Sequence, residues 1–378
     1  MDEELRKLIE RQRQLARENA GRIEASGKRY DAVEGFGQAD RIPFSISLTP
    51  VWSDWYPHKY GIVVRKMLTD ARLHAITQLR AGIDKFLEFN DDGSPHSGVA
   101  VCLGVVTEPS VVGCKIVWPE NDWPWVDLSH GSPLNTPEKI DDYNAPDIET
   151  AGLIPQMLLI YNEMKKLVGD EMGIGFADGE GPIQLACYAR GITQIIRDMY
   201  ESPDLAHKLI KKMVDTWLKI REFYIENFGH AMNYFTENPL NYFSRRQYDE
   251  FIFPYHRDII ERFGGSWGYN CQGVLDHLIE KIAELPNFRQ INLTTDCNIR
   301  KCREVFGRKK TFINFLMELP KMCTYSDQHL DKECQRIVEE MGNEGGSSLG
   351  SMIVDHTTDE RKLHVAIDAV KRYGGKPT

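Results

Sequence analysis

No run of 18 apolar residues occurs in the 378-residue chain, so no segment is built to span a bilayer. Basic side chains are in deficit. The 46 lysines and arginines face 56 aspartates and glutamates, a formal net charge of −10, which argues against a nucleic acid or an anionic membrane as partner. The eight cysteines, at 102, 114, 187, 271, 297, 302, 323 and 334, are too sparse for a disulfide scaffold and include no C-x-x-C pair. They read as reduced thiols of a cytoplasmic protein, mostly buried as small hydrophobes. The opening stretch MDEELRKLIERQRQLARENA is charged throughout and predicts no signal peptide. Internal repeats and low-complexity tracts are missing too. What is present, 42% hydrophobic and 27% charged residues with 30 Gly and 18 Pro, describes a globular protein and excludes a disordered, collagenous or coiled-coil chain.

Residues 3–25 predict an amphipathic helix with Leu5, Leu8, Ile9 and Leu15 on one stripe, interrupted or ended near Asn19-Ala20-Gly21. Residues 1–40 therefore read as a helical arm for packing or dimerisation, and 41–378 as one domain. From Ile42 onward β-rich runs and helical patterns alternate. The runs are 43–48, 85–90, 173–178, 232–237, 267–271, 290–294, 311–315 and 351–355. The helical patterns are 64–81, 154–168, 202–228, 245–263, 274–285, 299–306, 327–341 and 359–373. Eight strands each followed by a helix predict an α/β fold, the (β/α)8 TIM barrel. Residues 91–150, with Gly- and Pro-rich turns, the run VAVCLGVV and the stretch WPENDWPWVDL, read as a β-hairpin insertion after strand 2.

In such a barrel the site is built at the C-terminal ends of the strands. Those ends supply Trp52, Asn90, Asp178, Glu180, Glu237, Tyr269, Cys271, Asn314 and His356. Each Asp or Asn has a plainer reading as the cap of the next helix. Tyr269 and Cys271 share one face of a strand by period-two geometry, and Glu237 ends the strand before. A carboxylate, a phenol and a thiol on neighbouring strands suit a proton donor and polar clamp, or a zinc site on Glu237 and Cys271. Glu237, Tyr269 and Cys271 are the expected catalytic set; Trp52, Asn90, Asp178, Glu180, Asn314 and His356 are expected to bind substrate. His256 lies inside a predicted helix and reads as structural. Trp52, Trp55, Tyr56, Trp118, Trp123 and Trp125 would wall a planar substrate or a tetrapyrrole face, or form the core under the insertion.

Several stretches resemble the uroporphyrinogen decarboxylase superfamily. They are GPIQLACYARGITQIIRDMYESPDLAHKLIKKMVDTWL (181–218), FSRRQYDEFIFPYHRDIIERF (243–263), the Cys-x-Gly at 271–273, residues 113–147 and the final VAIDAVKRYG. The resemblance implies the same barrel. Its decarboxylases carry an Arg-rich early strand, where this chain reads RIPFSISLTPVWSDWYP. Its thiol methyltransferases bind zinc through His-x-Cys and a later Cys, where this chain has Tyr269-Asn-Cys271 and GSMIVDH. What remains is the branch resembling the substrate-side methyltransferases of O-demethylase systems. That likeness implies transfer of a methyl group from a methoxylated, aromatic small molecule to the cobalt of a corrinoid, with zinc as a further cofactor. A cobalamin signature Asp-x-His-x-x-Gly is absent, so the corrinoid would be carried by a partner protein. The alternatives are a decarboxylase-like lyase, a methylcorrinoid-to-thiol methyltransferase, and a noncatalytic tetrapyrrole-binding protein.

Overall fold

The structure is a computed structural model that describes residues 2–50, 52–95, 98–129, 131–176 and 179–375. Among these residues the strands are β1 Phe44–Ser47, β2 Val99–Val101, β3 Ile116–Val117, β4 Trp125–Val126, β5 Ile174–Phe176, β6 Tyr234–Thr236, β7 Trp267–Asn270, β8 Phe288–Thr294, β9 Phe312–Met317 and β10 Ser347–Ile353. The antiparallel pair β3–β4 is the expected hairpin insertion. Each of the eight other strands is followed by at least one helix, so the fold is α/β, of the (β/α)8 barrel class.

The second strand lies elsewhere than the β-rich run 85–90 suggests. That run is the end of the helix Ala71–Glu88, and β2 follows at 99–101, inside the segment read as insertion. Asp70 caps this helix by accepting from the Leu73 amide, and Ile76, Leu79, Ile83 and Phe86 continue a buried stripe at helical spacing. Phe86 therefore belongs to a period of 3.6 rather than 2. The final strand also begins earlier than the run 351–355, because Ser347 to Gly350 pair with β9 from Ile313 to Leu316.

The chain divides into two compact units: residues 1–100, 162–174 and 290–378 in the first, 101–161 and 175–289 in the second. In unit one, β1, β10, β9 and β8 run parallel in that order, with Phe44 opposite Leu349 and Asn314 opposite Ser348 and Asn292. The N-terminal helix Glu3–Glu18 buries Leu5, Ile9 and Leu15, and the Gln12 side chain donates to the Leu79 carbonyl at 3.2 Å. Asn19 separates it from a second helix, Ala20–Glu34. Asp92 is buried at the start of β1, where it accepts from Arg41, Arg29, Ser26 and the Phe44 amide. Asp91 accepts from the Ile46 amide and pairs with Lys85. These two aspartates are structural anchors.

In unit two, β6 and β7 pair in parallel, with Phe235 opposite Tyr269. The long helix Pro203–Phe228 starts on Pro203, which needs no amide partner, and stops at Gly229, whose φ of +81° suits glycine. Its stripe Leu209, Ile210, Met213, Trp217, Ile220 and Tyr224 is buried. No helix among the described residues is long and apolar enough to cross a membrane.

Candidate active site

The helix Pro182–Arg190 begins with a glycine, Gly181, at its N-cap, so its own sequence offers no side chain to meet the first amides. Glu237, the residue after β6, fills that role from outside. One carboxylate oxygen accepts from the Ile183 amide at 3.0 Å and the other from the Gln184 amide at 2.6 Å. The positive end of the helix dipole favours this charge. Gly181 is required by space: a Cβ there would lie 2.3 Å from Glu237 Oε1 and 2.5 Å from its Cδ.

From Glu237 a polar chain runs inward. His256 Nε2 lies 3.1 Å from Glu237 Oε1, His256 Nδ1 is hydrogen-bonded to the Tyr269 hydroxyl, and that hydroxyl is 3.2 Å from the hydroxyl of Tyr248. All four side chains are fully buried. Phe235 stacks on the His256 ring at 4.3 Å and closes it from the apolar side. Tyr248 and His256 reach the same oxygen because their helix is irregular. Eight residues of regular α-helix would leave them about 80° apart. A π-helical turn at Tyr248–Ile252 inserts one residue, bringing the effective spacing to about seven, within about 20° of alignment. Pro254, which lacks an amide donor, lies in the first turn of the α-helix Phe253–Phe263 that carries His256. Burial holds the Tyr269 phenol well above the ordinary tyrosine range, with Tyr248 and Glu237 adding to the shift, so Tyr269 stays protonated.

Next to this chain opens a small cleft lined by Glu108, Glu180, Trp217, Arg221, Tyr224 and Tyr234 among others. Glu180 is the distinctive group. Its carbonyl accepts from the Trp217 indole at 2.9 Å, which fixes the backbone, while its carboxyl oxygen Oε2 is buried with no hydrogen-bond partner among the described residues. Burial first, then the nearby carboxylates of Glu108 and Glu237, raise its pKa well above the ordinary glutamate value. Glu108 differs in that its Oε1 accepts from Tyr224 at 2.9 Å and from the Gly179 amide at 3.1 Å. Of these two carboxyl groups, Glu108 is hydrogen-bonded through Oε1, whereas burial makes Glu180 hold its proton more tightly than an ordinary glutamate.

The structure brings two of the three expected catalytic residues together. Glu237 and Tyr269 do meet, through His256, but neither presents an atom to solvent. Cys271 is buried with its sulfur toward the Asn238 carbonyl at 3.7 Å. Both Glu237 oxygens, expected to share a zinc with Cys271, carry hydrogen bonds from helix amides, and neither residue joins a cluster of three ligating side chains among the described residues. Asp178 lies outside the described residues. Trp52, Asn90, Asn314 and His356 belong to unit one. Asn90 is exposed behind a helix end, Trp52 is half-buried in the loop after β1, and Asn314 accepts from Ser348 across the sheet at 3.0 Å. His356 is bound to Asp54.

Sequence reasoning missed His256, Tyr248, Glu108 and Tyr224. A signal for His256 was present: it falls on the buried stripe with Ile252, Ile259 and Ile260, where an ionisable side chain needs a partner. For Glu108, in a five-residue helix after β2, no local pattern exists.

Residues 95–373 match the family Uroporphyrinogen decarboxylase (URO-D). No match is found among curated proteins. Among solved structures, a methyltransferase from Methanosarcina mazei superposes with a TM-score of 0.67 at 15% identity, covering 91% of this chain and 97% of its own. At that identity the likeness concerns the fold. A B12-independent methionine synthase from Shewanella, at a TM-score of 0.35 and 11% identity over 57% of this chain and 65% of its own, carries no argument.

Proposed function

The chain belongs to the uroporphyrinogen decarboxylase family, and from that premise we propose that it is a methyltransferase acting on a methoxylated, aromatic small molecule. The methyl acceptor is the cobalt of a corrinoid held by a separate partner protein. Methyl transfer is the activity named for the Methanosarcina mazei structure, and it suits what this cleft offers. The observation that carries the reading is Glu180, a buried acid of raised pKa with an unspent oxygen at a cleft walled by Trp217, Tyr224 and Tyr234.

Methyl transfer from an ether breaks the carbon–oxygen bond and leaves the electron pair on oxygen. A phenolate is a poor leaving group at neutral pH unless the oxygen receives a proton as it departs. Glu180 supplies that proton, and the aromatic side chains of the cleft hold the ring so that its methyl carbon faces outward, in line with the acceptor. Glu237, His256, Tyr269 and Tyr248 position the wall behind Glu180: the carboxylate of Glu237 pins the helix Pro182–Arg190, which follows Glu180 by two residues. A lyase binding a polycarboxylate would need free guanidinium groups here. The arginine of the cleft, Arg221, is committed to the Met232 carbonyl and the Asn233 side chain, each at 2.5 Å.

The test is to supply the purified protein with a reduced corrinoid protein and a panel of aryl methyl ethers, following methylation of the corrinoid by its absorbance. We expect turnover with at least one ether and a loss of about 10²–10⁴-fold in Glu180→Gln, the range of general acid catalysis. Ethers of more acidic phenols should recover much of that loss. Absence of transfer from every ether, or a Glu180→Gln variant as fast as the parent, overturns the reading.

A further inference from the structure

The loop that leaves β8 and the helix Ile299–Lys309 hold two thiols at a telling spacing. β8 ends at Thr294, and the Thr295 amide donates to the Leu316 carbonyl of β9 at 3.0 Å, which fixes the start of the loop. Asn298 is the N-cap of the helix. Its side chain accepts from the Lys301 amide at 3.0 Å, and its carbonyl accepts from the Cys302 amide at 2.9 Å. Cys297 is therefore the residue before the cap, and Cys302 the fourth residue of the helix. Side chains at those two positions commonly pack on one another and fix the angle at which a chain enters a helix. Both are ordinarily hydrophobes. Here both are cysteines, and their sulfurs lie within 4.8 Å of each other. Each is a reduced thiol; Cys302 is fully buried on the stripe of Ile299 and Phe306, while Cys297 keeps 3% of its surface exposed between the exposed residues Asp296 and Asn298.

We propose that Cys297 and Cys302 are a reversible dithiol–disulfide pair whose oxidant is hydrogen peroxide. An oxidant has to be little larger than water to reach a sulfur covered this well, which favours peroxide over a bulky disulfide. The Cys297 sulfur attacks one peroxide oxygen and the O–O bond breaks; one oxygen stays as the sulfenic acid and the other leaves with the thiol proton as water. The Cys302 sulfur then displaces the sulfenic oxygen, which departs with the second thiol proton as water. Two thiols and one peroxide thus give one disulfide and two waters, with two electrons passing from sulfur to oxygen. The new bond is about 2.05 Å long, and rotation about the two Cα–Cβ bonds closes the gap. A thiol waiting beside the sulfenic acid captures it before a second peroxide carries it to the irreversible sulfinic acid. The pair lies within unit one and is independent of the proposed methyl transfer.

The experiment needs neither methyl donor nor acceptor. The full chain is reduced, freed of reductant, exposed to increasing hydrogen peroxide and quenched with catalase. It is then denatured, alkylated with N-ethylmaleimide and read by intact mass and peptide mapping. We expect two of the eight thiols to escape alkylation, a product two hydrogens lighter that stays monomeric on a nonreducing gel, and full recovery with dithiothreitol. The bond should map to 297–302 at a peroxide dose that leaves the exposed Cys323 alkylatable. Cys302→Ser should form no disulfide and accumulate sulfinic acid at Cys297, whereas Cys323→Ser should behave as the parent. Circular dichroism verifies that each variant folds; Cys302→Ala is the second variant, with no hydroxyl to bury. Cys323 consumed while both thiols of the pair remain alkylatable, a bond between other cysteines, or the same disulfide yield in the Cys302 variants overturns the proposal.

Discussion

Glu180 shows how one side chain turns location into chemistry. Folding raises its affinity for a proton, so above the ordinary value of 4.5 the folded form binds more protons than the unfolded chain. The stabilisation is complete below that value and is lost as pH rises toward the folded pKa, at up to about 1.4 kcal/mol per pH unit for one proton. Urea unfolding of the parent and Glu180→Gln between pH 4.5 and 8 should therefore show the variant gaining relative stability as pH increases. Tyr269 offers a second measurement. Tyr269→Phe strips the shared partner from His256 Nδ1 and the Tyr248 hydroxyl in a site without water access, and should cost about 1–3 kcal/mol in the same assay at neutral pH. Residues at this scale were unevenly legible. Glu237 and Tyr269 stood out because strand ends in a barrel are informative; the meaning of Glu237 did not, because capping a distant helix is a tertiary relation with no sequence spacing.

Among the elements, the junction of β6 with the helix Pro182–Arg190 is the tightest. Gly181→Ala drives a methyl into Glu237 Oε1 and the Thr236 carbonyl, which would sit 2.3 and 3.0 Å away. The carboxylate must leave the helix N-terminus or the helix must move. We expect a loss above the usual overpacking cost of about 1–3 kcal/mol, read from thermal melting, together with loss of the proposed methyl transfer. Periodicity located most helices, since apolar stripes such as that of Pro203–Phe228 repeat for many turns. It failed where signals were short. Phe86 and Phe89 mimic alternation at the end of a helix, while β2 has only three residues, too few for any period to show. The π turn at Tyr248–Ile252 is likewise invisible to a pattern that assumes 3.6 residues per turn throughout.

At the scale of the molecule, chain order and spatial grouping diverge. Unit one is assembled from three separate stretches and unit two from two. Ending the chain after Arg289 removes β10, the partner of β1, and β9 beside it. The truncated product should lose cooperative unfolding and become sensitive to proteolysis throughout residues 1–100. The alternation of strands and helices made the fold class readable from sequence, whereas the grouping of stretches was not, since it depends on contacts between residues hundreds of positions apart. The orphaned oxygen of Glu180 has a consequence for selectivity as well. A pocket that keeps an uncharged hydroxyl in reserve welcomes a guest bearing a lone pair and repels one bearing a formal negative charge, because Glu108 stands beside it. Discrimination between a methyl ether and its own demethylated phenolate would then be built in, so that the spent guest is pushed out as soon as it ionises.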